Sequence, residues 1–510
     1  MAFYNLPIWL LLLLLLIPLL LFLKKIMSLK DLKLQLPPSP PQLPIIGNLH
    51  QLGALPHQSF MKLSQKYGPV MLLKFGRIPF VIISSAEAAR EVLKVHDLDS
   101  CSRAHLTGSR KLTHNYLDIA FAPYGDYWRQ IRKISVLELF SLKRVQSFRF
   151  IREEEVGLLM NSISQSASSA TPVDLSEKIF ALTGSIVFRM SFGQNFRGSN
   201  LDNQKFEKLV HATESIMGGF TTEECFPYVG WIFDRLNGYH ANLEKVFHEL
   251  NTFFEKAIDD HLKPERMTID QEQEDIIDVM LKIVKDQSKS DQAWLTKDNI
   301  KAVLVNIFLG GVDTSAITVV WAMAELARNP RLMKKAQDEI RNCIGKKGRV
   351  TEDDIDQLPY LKMIIKETLR LHPPAPLLLA RETISHFRVD GYDINPKTLI
   401  QVNVWAIGRD PKYWKNPEEF YPERFMDSSI DYKGQNFEFL PFGSGRRVCP
   451  GIYLGIRTSE LALANLLYCF DWKLPEGMNE EDINMEEGVG VSLNLSKKTA
   501  LNLVPVNYVP

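Results

Sequence analysis

The feature that most constrains this sequence is a glycine-rich loop near the C-terminus that leads to a single cysteine. The loop runs from Pro441 to Gly451 and is followed by a helix-like apolar run from Ile452 to Tyr468. Exposed backbone N–H groups and the positive end of a helix stabilise a thiolate, and Arg447 adds a nearby cation. The sequence therefore predicts a reactive or metal-ligating sulfur at Cys449.

Three kinds of chemistry fit such a sulfur. A nucleophile needs a histidine base, and no protease-like signature surrounds Cys449. A zinc site needs companion cysteines at close spacing, whereas the chain has five cysteines in all, far apart. A single thiolate held by a loop with an arginine suits an iron whose other ligands come from a macrocycle. The alternative is a purely structural role, with Cys449 as a buried cysteine in a turn.

An apolar run from Leu6 to Leu23 precedes the rest of the chain. Its length corresponds to roughly 27 Å of helix, enough to span a thin internal membrane. A cleaved signal peptide would need a basic start and a shorter apolar core. We therefore expect residues 1–23 to be an uncleaved anchor. Lys24, Lys25 and Lys30 follow the span and place the remaining chain on the cytoplasmic face.

Residues 24–48 form a basic and proline-rich linker, with five prolines between Pro37 and Pro44 that favour an extended, stiff backbone. Val70 to Phe75 and Phe80 to Ser84 flank a turn signal and predict a hairpin. Most of the remaining sequence has helical periodicity. Residues 49–510 are therefore predicted to form a single large domain, mainly α with small β-sheets.

Charge and motif content argue against a nucleic-acid-binding protein and against a chain that carries its own reductase. The 60 Lys and Arg residues balance the 60 Asp and Glu residues without a basic cluster, so nothing favours a nucleic-acid partner. The chain also has no Gly-x-Gly-x-x-Gly segment after a strand and no reductase-like segment. Electrons for any redox chemistry must therefore come from a partner.

A second site is predicted in the apolar run from Lys297 to Arg328, which is expected to form a buried helix of about 48 Å. Its centre reads Gly310-Gly311-Val312-Asp313-Thr314-Ser315. Two glycines inside a helix cost about 1 kcal/mol each relative to alanine. Close helix packing, with Thr314 bonded back to the Gly310 carbonyl, is one explanation. The other is a locally opened turn at which Asp313 and Thr314 deliver protons.

These motifs resemble those of the cytochromes P450, whose haem-ligand loop has the form Phe-x-x-Gly-x-Arg-x-Cys-x-Gly. The fixed positions are matched by Phe442, Gly445, Arg447, Cys449 and Gly451. The resemblance extends over essentially the whole chain. It implies haem b (iron protoporphyrin IX) as cofactor, with the Cys449 thiolate as the axial ligand whose electron donation favours O–O bond cleavage.

The resemblance also assigns two other motifs. Asp313 and Thr314 match the oxygen-activation motif, which argues for true monooxygenase chemistry. Glu367 and Arg370 lie three residues apart on a predicted helix, and Arg424 follows at the family's usual distance. By themselves Glu367 and Arg370 would be read as a surface ion pair; in the family, the three form a buried structural charge network.

The haem propionates of such proteins need cations. Trp128 and Arg132 lie four apart on a helix predicted to begin near Tyr127, so their N–H donors share one side. Arg381 matches a propionate-contacting position, and Arg447 completes the set. The alternative for Trp128 and Arg132 is an amphipathic surface helix.

The substrate pocket is expected from segments that surround the haem in similar proteins, among them a strand over Ala375 to Ala380. These segments are largely apolar here, which predicts a lipophilic substrate. The candidate pocket residues are Leu106, Asn306, Leu309, Leu378 and Val489.

The motif sequences from Lys366 to Pro374 and from Phe439 to Arg447 are similar to those of the large plant microsomal group. This implies a monooxygenase of the endoplasmic reticulum membrane that uses O2 and NADPH–cytochrome P450 reductase. It would hydroxylate or otherwise oxidise a lipophilic plant specialised metabolite: a terpenoid, alkaloid, phenylpropanoid or aldoxime. Two alternatives stay open: an oxygen-independent isomerase or dehydratase on the same fold, and a membrane-anchored haem protein that scaffolds other enzymes.

Overall fold

The computed structural model describes residues 34–194, 203–266, 274–287, 294–488 and 494–509, together with Leu16. The predicted anchor, apart from Leu16, and the basic part of the linker lie outside these residues. So does Val489.

The described residues are mainly helical. The first half of the chain contains α1 Pro56–Tyr67, α2 Ala86–Arg90, α3 Asp97–Ser100, α4 Thr107–Leu112, α5 Asp126–Ile134, α6 Leu142–Ser147, α7 Arg149–Ser168, α8 Leu175–Phe192, α9 Asn203–Gly218, α10 Thr222–Cys225, α11 Gly230–Leu236 and α12 Tyr239–His261. The second half contains α13 Ile276–Gln287, α14 Lys297–Gly311, α15 Asp313–Arg328, α16 Pro330–Ile344, α17 Glu352–Ile355, α18 Pro359–Leu371, α19 Val404–Ile407 and α20 Ile452–Cys469. Short π-helical turns, Glu91–Val95 and Ser135–Leu139, extend α2 and α5.

Small sheets lie beside the helices. Their strands are β1 Val70–Phe75, β2 Ile78–Ile83, β3 Val173–Asp174, β4 Arg381–Glu382, β5 Phe387–Val389, β6 Tyr392–Ile394, β7 Leu399–Val402, β8 Phe470–Lys473 and β9 Asn502–Asn507. One sheet has the order β1-β2-β7-β4, another β3-β9-β8, and β5 pairs with β6. The pairing of β2 with β7 is parallel and the other pairings are antiparallel.

The predicted hairpin is confirmed, with β1 antiparallel to β2 and Phe75 opposite Ile78. The turn between them is tight because Gly76 has a φ of 57°, a left-handed conformation that favours glycine. A Cβ at Gly76 would also lie 2.3 Å from the carbonyl oxygen of Cys225. Glycine at this position therefore lets the hairpin turn pack against the segment after α10.

The core is built around α14 and α15, which run through the molecule. Together they are long and apolar enough to cross a membrane, but 78% of their most apolar window is buried inside the protein. Helix α8 packs against both, and α18 and α20 pack against α15. Trp321 of α15 is fully buried, stacks on His372 at a ring distance of 4.0 Å and donates to the carbonyl of Leu495. These helices therefore form the rigid frame of the site.

The structure corrects three local expectations. The long helix over 297–328 is interrupted at Val312, so it is two helices rather than one rod. Residues 375–380 form turns and extended coil, and the strand begins only at Arg381. Leu378, with a φ of 52°, marks a turn that a continuous strand would not contain. The charged stretch from Lys285 to Asp291 predicts an exposed loop between helices, but α13 continues to Gln287.

Candidate functional site

Cys449 lies on the wall of a cavity of about 320 Å³, three residues before α20 begins. Its N–H donates to the carbonyl of Phe442 at 3.0 Å, which closes the loop. Phe442 lines the cavity as well. Gly445 acts through the backbone instead: its φ is 71°, and a Cβ there would lie 2.3 Å from the carbonyl oxygen of Leu93. The glycine-rich sequence therefore shapes the turn that presents the sulfur.

The electrostatics of Cys449 differ from the sequence expectation. Burial raises the pKa of the Cys449 thiol, and a hydrogen bond from the Gly451 backbone and the charge of Arg132 lower this pKa by less. The predicted cation, Arg447, is engaged elsewhere. A metal ion bound at the sulfur would supply the positive charge that fixes the thiolate.

A cluster of guanidinium groups lines the same cavity. It consists of Arg103, Arg132, Arg381 and Arg447. Arg447 donates to the carbonyls of Cys101, Ile119 and Ala122. Burial lowers the pKa of Arg447 to about 9, and nearby arginines add to this effect. Such a concentration of buried positive charge favours an anionic ligand.

The other arginines of this cluster have different partners. Arg103 donates to the carbonyls of Leu379 and Ala380, each at 2.7 Å, and Arg132 donates to that of Val448. Burial lowers the pKa of both Arg103 and Arg132. Among the described residues, neither makes an ion pair within 4 Å with a carboxylate. Within the described part of the chain, both guanidinium groups therefore bond only to neutral oxygens.

Arg381 is the exception, since it pairs with Asp97 at 2.7 Å and donates to the carbonyl of Ser444. Asp97 also pairs with Arg446 at 2.8 Å. Part of the positive charge at this end of the cavity is therefore already neutralised by a buried carboxylate.

Trp128 lies behind the cavity wall. Its indole N–H donates to the carbonyl of Ile119 at 2.9 Å, and the guanidinium of Arg447 lies 4.2 Å from its ring centroid. Trp128 is not among the described residues that line the cavity, whereas Arg132 is. Both residues of α5 contact the Cys449 loop, Arg132 at Val448 and Trp128 at Arg447, while the indole N–H is taken by the Ile119 carbonyl.

The interruption of the long helix faces the cavity. The hydroxyl of Thr314 donates to the carbonyl of Gly310 at 2.6 Å, and both residues line the cavity. A Cβ at Gly310 would meet nothing within 4 Å, whereas one at Gly311 would lie 2.9 Å from Val187 of α8. Gly311 therefore serves close packing and Gly310 leaves room in the cavity, so the structure contains features of both explanations given by the sequence.

Asp313 begins α15, and its side chain is 6% exposed. It forms an ion pair with His211 of α9, with 3.4 Å between Nδ1 and Oδ2. Its Oδ1 atom has no hydrogen-bond partner among the described residues. The acid therefore points away from α14 and towards α9, while the adjacent Thr314 faces the cavity.

Three candidate pocket residues line the cavity: Asn306, Leu309 and Leu378. Asn306 accepts hydrogen bonds from the N–H groups of Ile119 and Ala120 and donates to Asp118 at 2.9 Å. Its role is therefore at least partly to fix the neighbouring loop. Leu106 does not belong to the described cavity lining, and its carbonyl accepts a hydrogen bond from the hydroxyl of Tyr116.

The predicted charge network is assembled away from the cavity. Glu367 accepts from the Nε and Nη2 atoms of Arg370, each at 2.8 Å, and from the Nε of Arg424 at 2.8 Å. Arg370 also donates to the carbonyls of Gly408 and Pro417. The side chains of Glu367 and Arg370 are fully buried. The three residues thus connect α18 to the loop that precedes the Cys449 loop.

A family model described as Cytochrome P450 matches residues 37–502. The chain belongs to the cytochrome P450 family. Its cofactor is accordingly a haem-thiolate iron centre, and the family's chemistry is that of monooxygenases.

Curated relatives agree with this membership. The chain is 55% identical over 489 residues to cytochrome P450 71B20 of Arabidopsis thaliana, covering 95% of this chain and 96% of the relative. It is 56% identical over 472 residues to cytochrome P450 71B36 of the same plant, covering 92% and 93%. A solved structure titled as a zebra fish cytochrome P450 with abiraterone has a TM-score of 0.74 and 24% identity, covering 90% of this chain and all of that one. The similarity to this solved structure concerns the fold alone.

The residues of the cavity fit a haem group. Cys449 supplies one sulfur, and the arginine cluster supplies the cations that two propionates need. Arg103 and Arg132, which donate only to carbonyls among the described residues, are the members best placed to take carboxylates. Gly310, which also lines the cavity, leaves space on the α14 side. These features agree with a planar dianionic cofactor bound between the loop and α14.

Sequence reasoning missed Arg103, His211 and Glu214. Arg103 stands in a polar stretch, with Ser102 before it and His105 shortly after it, so no local pattern marks it as a cavity residue. No local pattern marks His211 or Glu214, because Asp313, which they approach, lies about a hundred residues further along the chain.

Proposed function

We propose that this cytochrome P450 inserts one oxygen atom from O2 into a lipophilic plant specialised metabolite. The observation that carries the proposal is the position of Cys449 and of Thr314, which follows the helix break at Val312, on walls of the same predominantly apolar cavity. When bound, the haem supplies the oxygen-activating chemistry. Cys449 would hold it at the sulfur, and Thr314 would hold and pass protons at its hydroxyl.

Electrons for this reaction come from NADPH–cytochrome P450 reductase in our proposal. Lys133 is exposed and Arg446 is 44% exposed, so both offer positive charge to such a partner. Arg144, a further candidate cation for this contact, contributes less because it is 18% exposed and pairs with Glu274 at 3.5 Å.

The substrate class follows from the cavity. Its lining includes the apolar side chains of Ile119, Phe121, Leu309, Leu378 and Leu379. Such walls orient a ligand by shape and by few hydrogen bonds, which suits terpenoids, phenylpropanoids, apolar alkaloids and aldoximes.

The test of this function is a screen of pooled plant metabolites with membranes that contain the protein and the reductase. We expect at least one lipophilic compound to be converted to an oxidised product, read by mass spectrometry, only when NADPH and O2 are present. A product that forms equally well without NADPH would contradict the proposal and favour the isomerase or dehydratase alternative.

A single substitution tests the role of Thr314. We expect Thr314→Ala to bind haem normally, to release hydrogen peroxide and to lower product per NADPH by about tenfold or more, because the hydroxyl no longer passes protons. Thr314→Ser keeps the hydroxyl and is the matched control. Product and peroxide per NADPH are measured for both variants, and full coupling in Thr314→Ala would remove the proton-delivery role.

We further propose the organisation expected from the sequence: an anchor over 1–23, a linker over 24–48 and a haem domain over 49–510 on the cytoplasmic face of the endoplasmic reticulum membrane. An exposed apolar surface supports the membrane location. Tyr228 is 87% exposed and Leu236 is 79% exposed, and Trp231 and Phe233 are about half exposed. Ile45 is 82% exposed and lies on the same side. The carbonyl of the next residue, Ile46, accepts a hydrogen bond from the N–H of Gly76, and Gly76 packs against Cys225, close in sequence to this surface.

Tryptophan fluorescence tests this orientation. In full-length protein reconstituted into vesicles with spin-labelled lipid, we expect Trp231→Phe to remove one quenched tryptophan from the emission. Trp472→Phe, in β8, is the control and should leave the quenched emission unchanged. Equal quenched emission in the two variants would place the Trp231 surface away from lipid.

A further inference from the structure

A group of titratable side chains lies between the protein surface and the break in the long helix. His211 and Glu214 come from α9, and Asp313 comes from the start of α15. The Nδ1 atom of His211 lies 3.4 Å from Oδ2 of Asp313 and 3.8 Å from Oε2 of Glu214. Asn494 donates to the other carboxylate oxygen of Glu214 at 2.6 Å. One ligand atom from each of the three titratable groups lies within 4.8 Å of the others.

Burial in this group increases inwards. The side chain of His211 is 52% exposed, whereas those of Glu214 and Asp313 are 3% and 6% exposed. Thr314 follows Asp313 directly, and both Thr314 and Asn494 line the cavity. The group therefore reaches solvent at one end and the cavity wall at the other.

The surroundings of His211 are well defined. Glu207, one turn earlier on α9, lies 3.7 Å from its Nε2 atom, on the outer side. The ring of Phe180 of α8 lies 5.4 Å from the His211 ring. Three carboxylates thus surround one imidazole, and an apolar ring covers part of it.

The environment of this group raises the pKa of Glu214 and of His211, so both side chains tend to hold protons. Burial raises the pKa of Glu214 to about 8. The hydrogen bond to His211 lowers this pKa by less than burial raises it, and the charge of Asp313 adds to the rise. Hydrogen bonding to Asp313 and Glu214 raises the pKa of His211 to about 10, against the opposing effect of burial. Near neutral pH, His211 is therefore a cation and Glu214 carries a proton beside Asp313.

We propose that Glu214 and His211 supply protons from solvent to Asp313, as positioning residues that act through it. The proposal rests on the function proposed above, whose reaction consumes protons at the cavity. It adds to that function the path by which Asp313 is reloaded.

The proton balance is simple and involves no electron transfer. The O–H bond of Glu214 breaks as an O–H bond forms on the Asp313 carboxylate. The resulting Glu214 carboxylate takes a proton from the His211 imidazolium, and water reprotonates the half-exposed imidazole. The transfers between the three side chains leave the number of protons in the cluster unchanged. That number falls by one only when Asp313 gives up its proton towards Thr314, and the proton that His211 takes from solvent restores the net charge.

The first test measures the cluster itself, without turnover. Diethyl pyrocarbonate modifies neutral imidazoles, so modification of the His211 peptide reports its protonation in the full-length haem protein. At pH 7.5 we expect His211 to react slowly despite its exposure, and Asp313→Asn to increase its rate about tenfold. The exposed His248 provides the reference peptide. Equal His211 rates in the two proteins would overturn the proposal.

The second test measures coupling with the substrate found in the metabolite screen. We expect Glu214→Gln to lower product per NADPH about fivefold, to raise peroxide release and to enlarge the solvent deuterium isotope effect, with KM unchanged. His211→Gln should act in the same direction, about threefold. Glu207→Gln is the matched control, since it contacts His211 without approaching Asp313 and should behave as the unmodified protein.

A double substitution separates proton supply from a merely structural contact. If Glu214 acts through Asp313, then Glu214→Gln adds no further loss of coupling to Asp313→Asn. Additive losses, or an unchanged isotope effect in Glu214→Gln, would contradict the proposal. Absence of product with the unsubstituted protein would instead contradict the proposed function. In that case the modification rates of His211 would by themselves test the proposed proton supply.

Discussion

Cys449→Ser is expected to abolish the spectral signature of thiolate ligation in the reduced carbon-monoxide complex and with it all NADPH-driven oxidation. Cys449 is the one cysteine among the described residues that line the cavity, and a serine hydroxyl cannot donate electron density as a thiolate does. Because burial raises the pKa of the Cys449 thiol, the bound metal is needed to hold the thiolate, so the ligand and the cofactor depend on each other.

Cys469→Ser is the matched control. Cys469 lies at the other end of α20, is only half-buried, and is outside the described cavity lining. Reduced carbon-monoxide difference spectra of the two variants, normalised to total protein, provide the measurement. An unchanged spectrum in Cys449→Ser would show that another residue ligates the iron.

Glu367→Gln is expected to lower the free energy of unfolding by about 3 to 5 kcal/mol, because it leaves Arg370 and Arg424 without their shared carboxylate. Arg370 is fully buried and would retain its carbonyl partners while its charge is uncompensated. Since domains are stable by only about 5 to 15 kcal/mol, most of the haem-loaded protein should be lost.

The measurement is the fraction of correctly ligated haem protein and its temperature of half-inactivation. Asp338→Asn removes the partner of Lys334 in an exposed pair on α16, and we expect it to change stability by no more than about 0.5 kcal/mol. Similar effects of Glu367→Gln and Asp338→Asn would mean that the buried network does not brace the fold.

Local patterns predicted the elements that depend on neighbouring residues. The hairpin of β1 and β2, the start of α5 at Asp126 and the extent of α20 all lie within two residues of expectation. The break at Val312 was foreseen only as one of two explanations of Gly310 and Gly311, because glycines serve both packing and opening. In the structure each glycine serves one purpose.

The missed features depend on contacts between distant parts of the chain. Arg447 donates to carbonyls more than three hundred residues away, which diverts it from the sulfur two residues after it. The residues of α9 that meet Asp313 carry no motif of their own. The turn at Leu378, predicted as strand, reflects local backbone geometry that an apolar run does not reveal.

The alternatives of an isomerase and of a scaffold predict different uses of the same cavity. An isomerase or dehydratase needs no supply of protons at Thr314, and it would leave the cluster of His211, Glu214 and Asp313 beside Thr314 without a function. A scaffold needs no cavity at all, yet Cys449 lines one of about 320 Å³ with a cluster of arginines. Both alternatives therefore leave much of this arrangement without a role.

Turnover under heavy-isotope O2 tests the central claim most directly. Membranes containing the protein and the reductase are supplied with NADPH and the converted metabolite, and the product is weighed by mass spectrometry. The account predicts a product that carries one heavy oxygen atom and that requires NADPH. An unlabelled product formed without NADPH would contradict it.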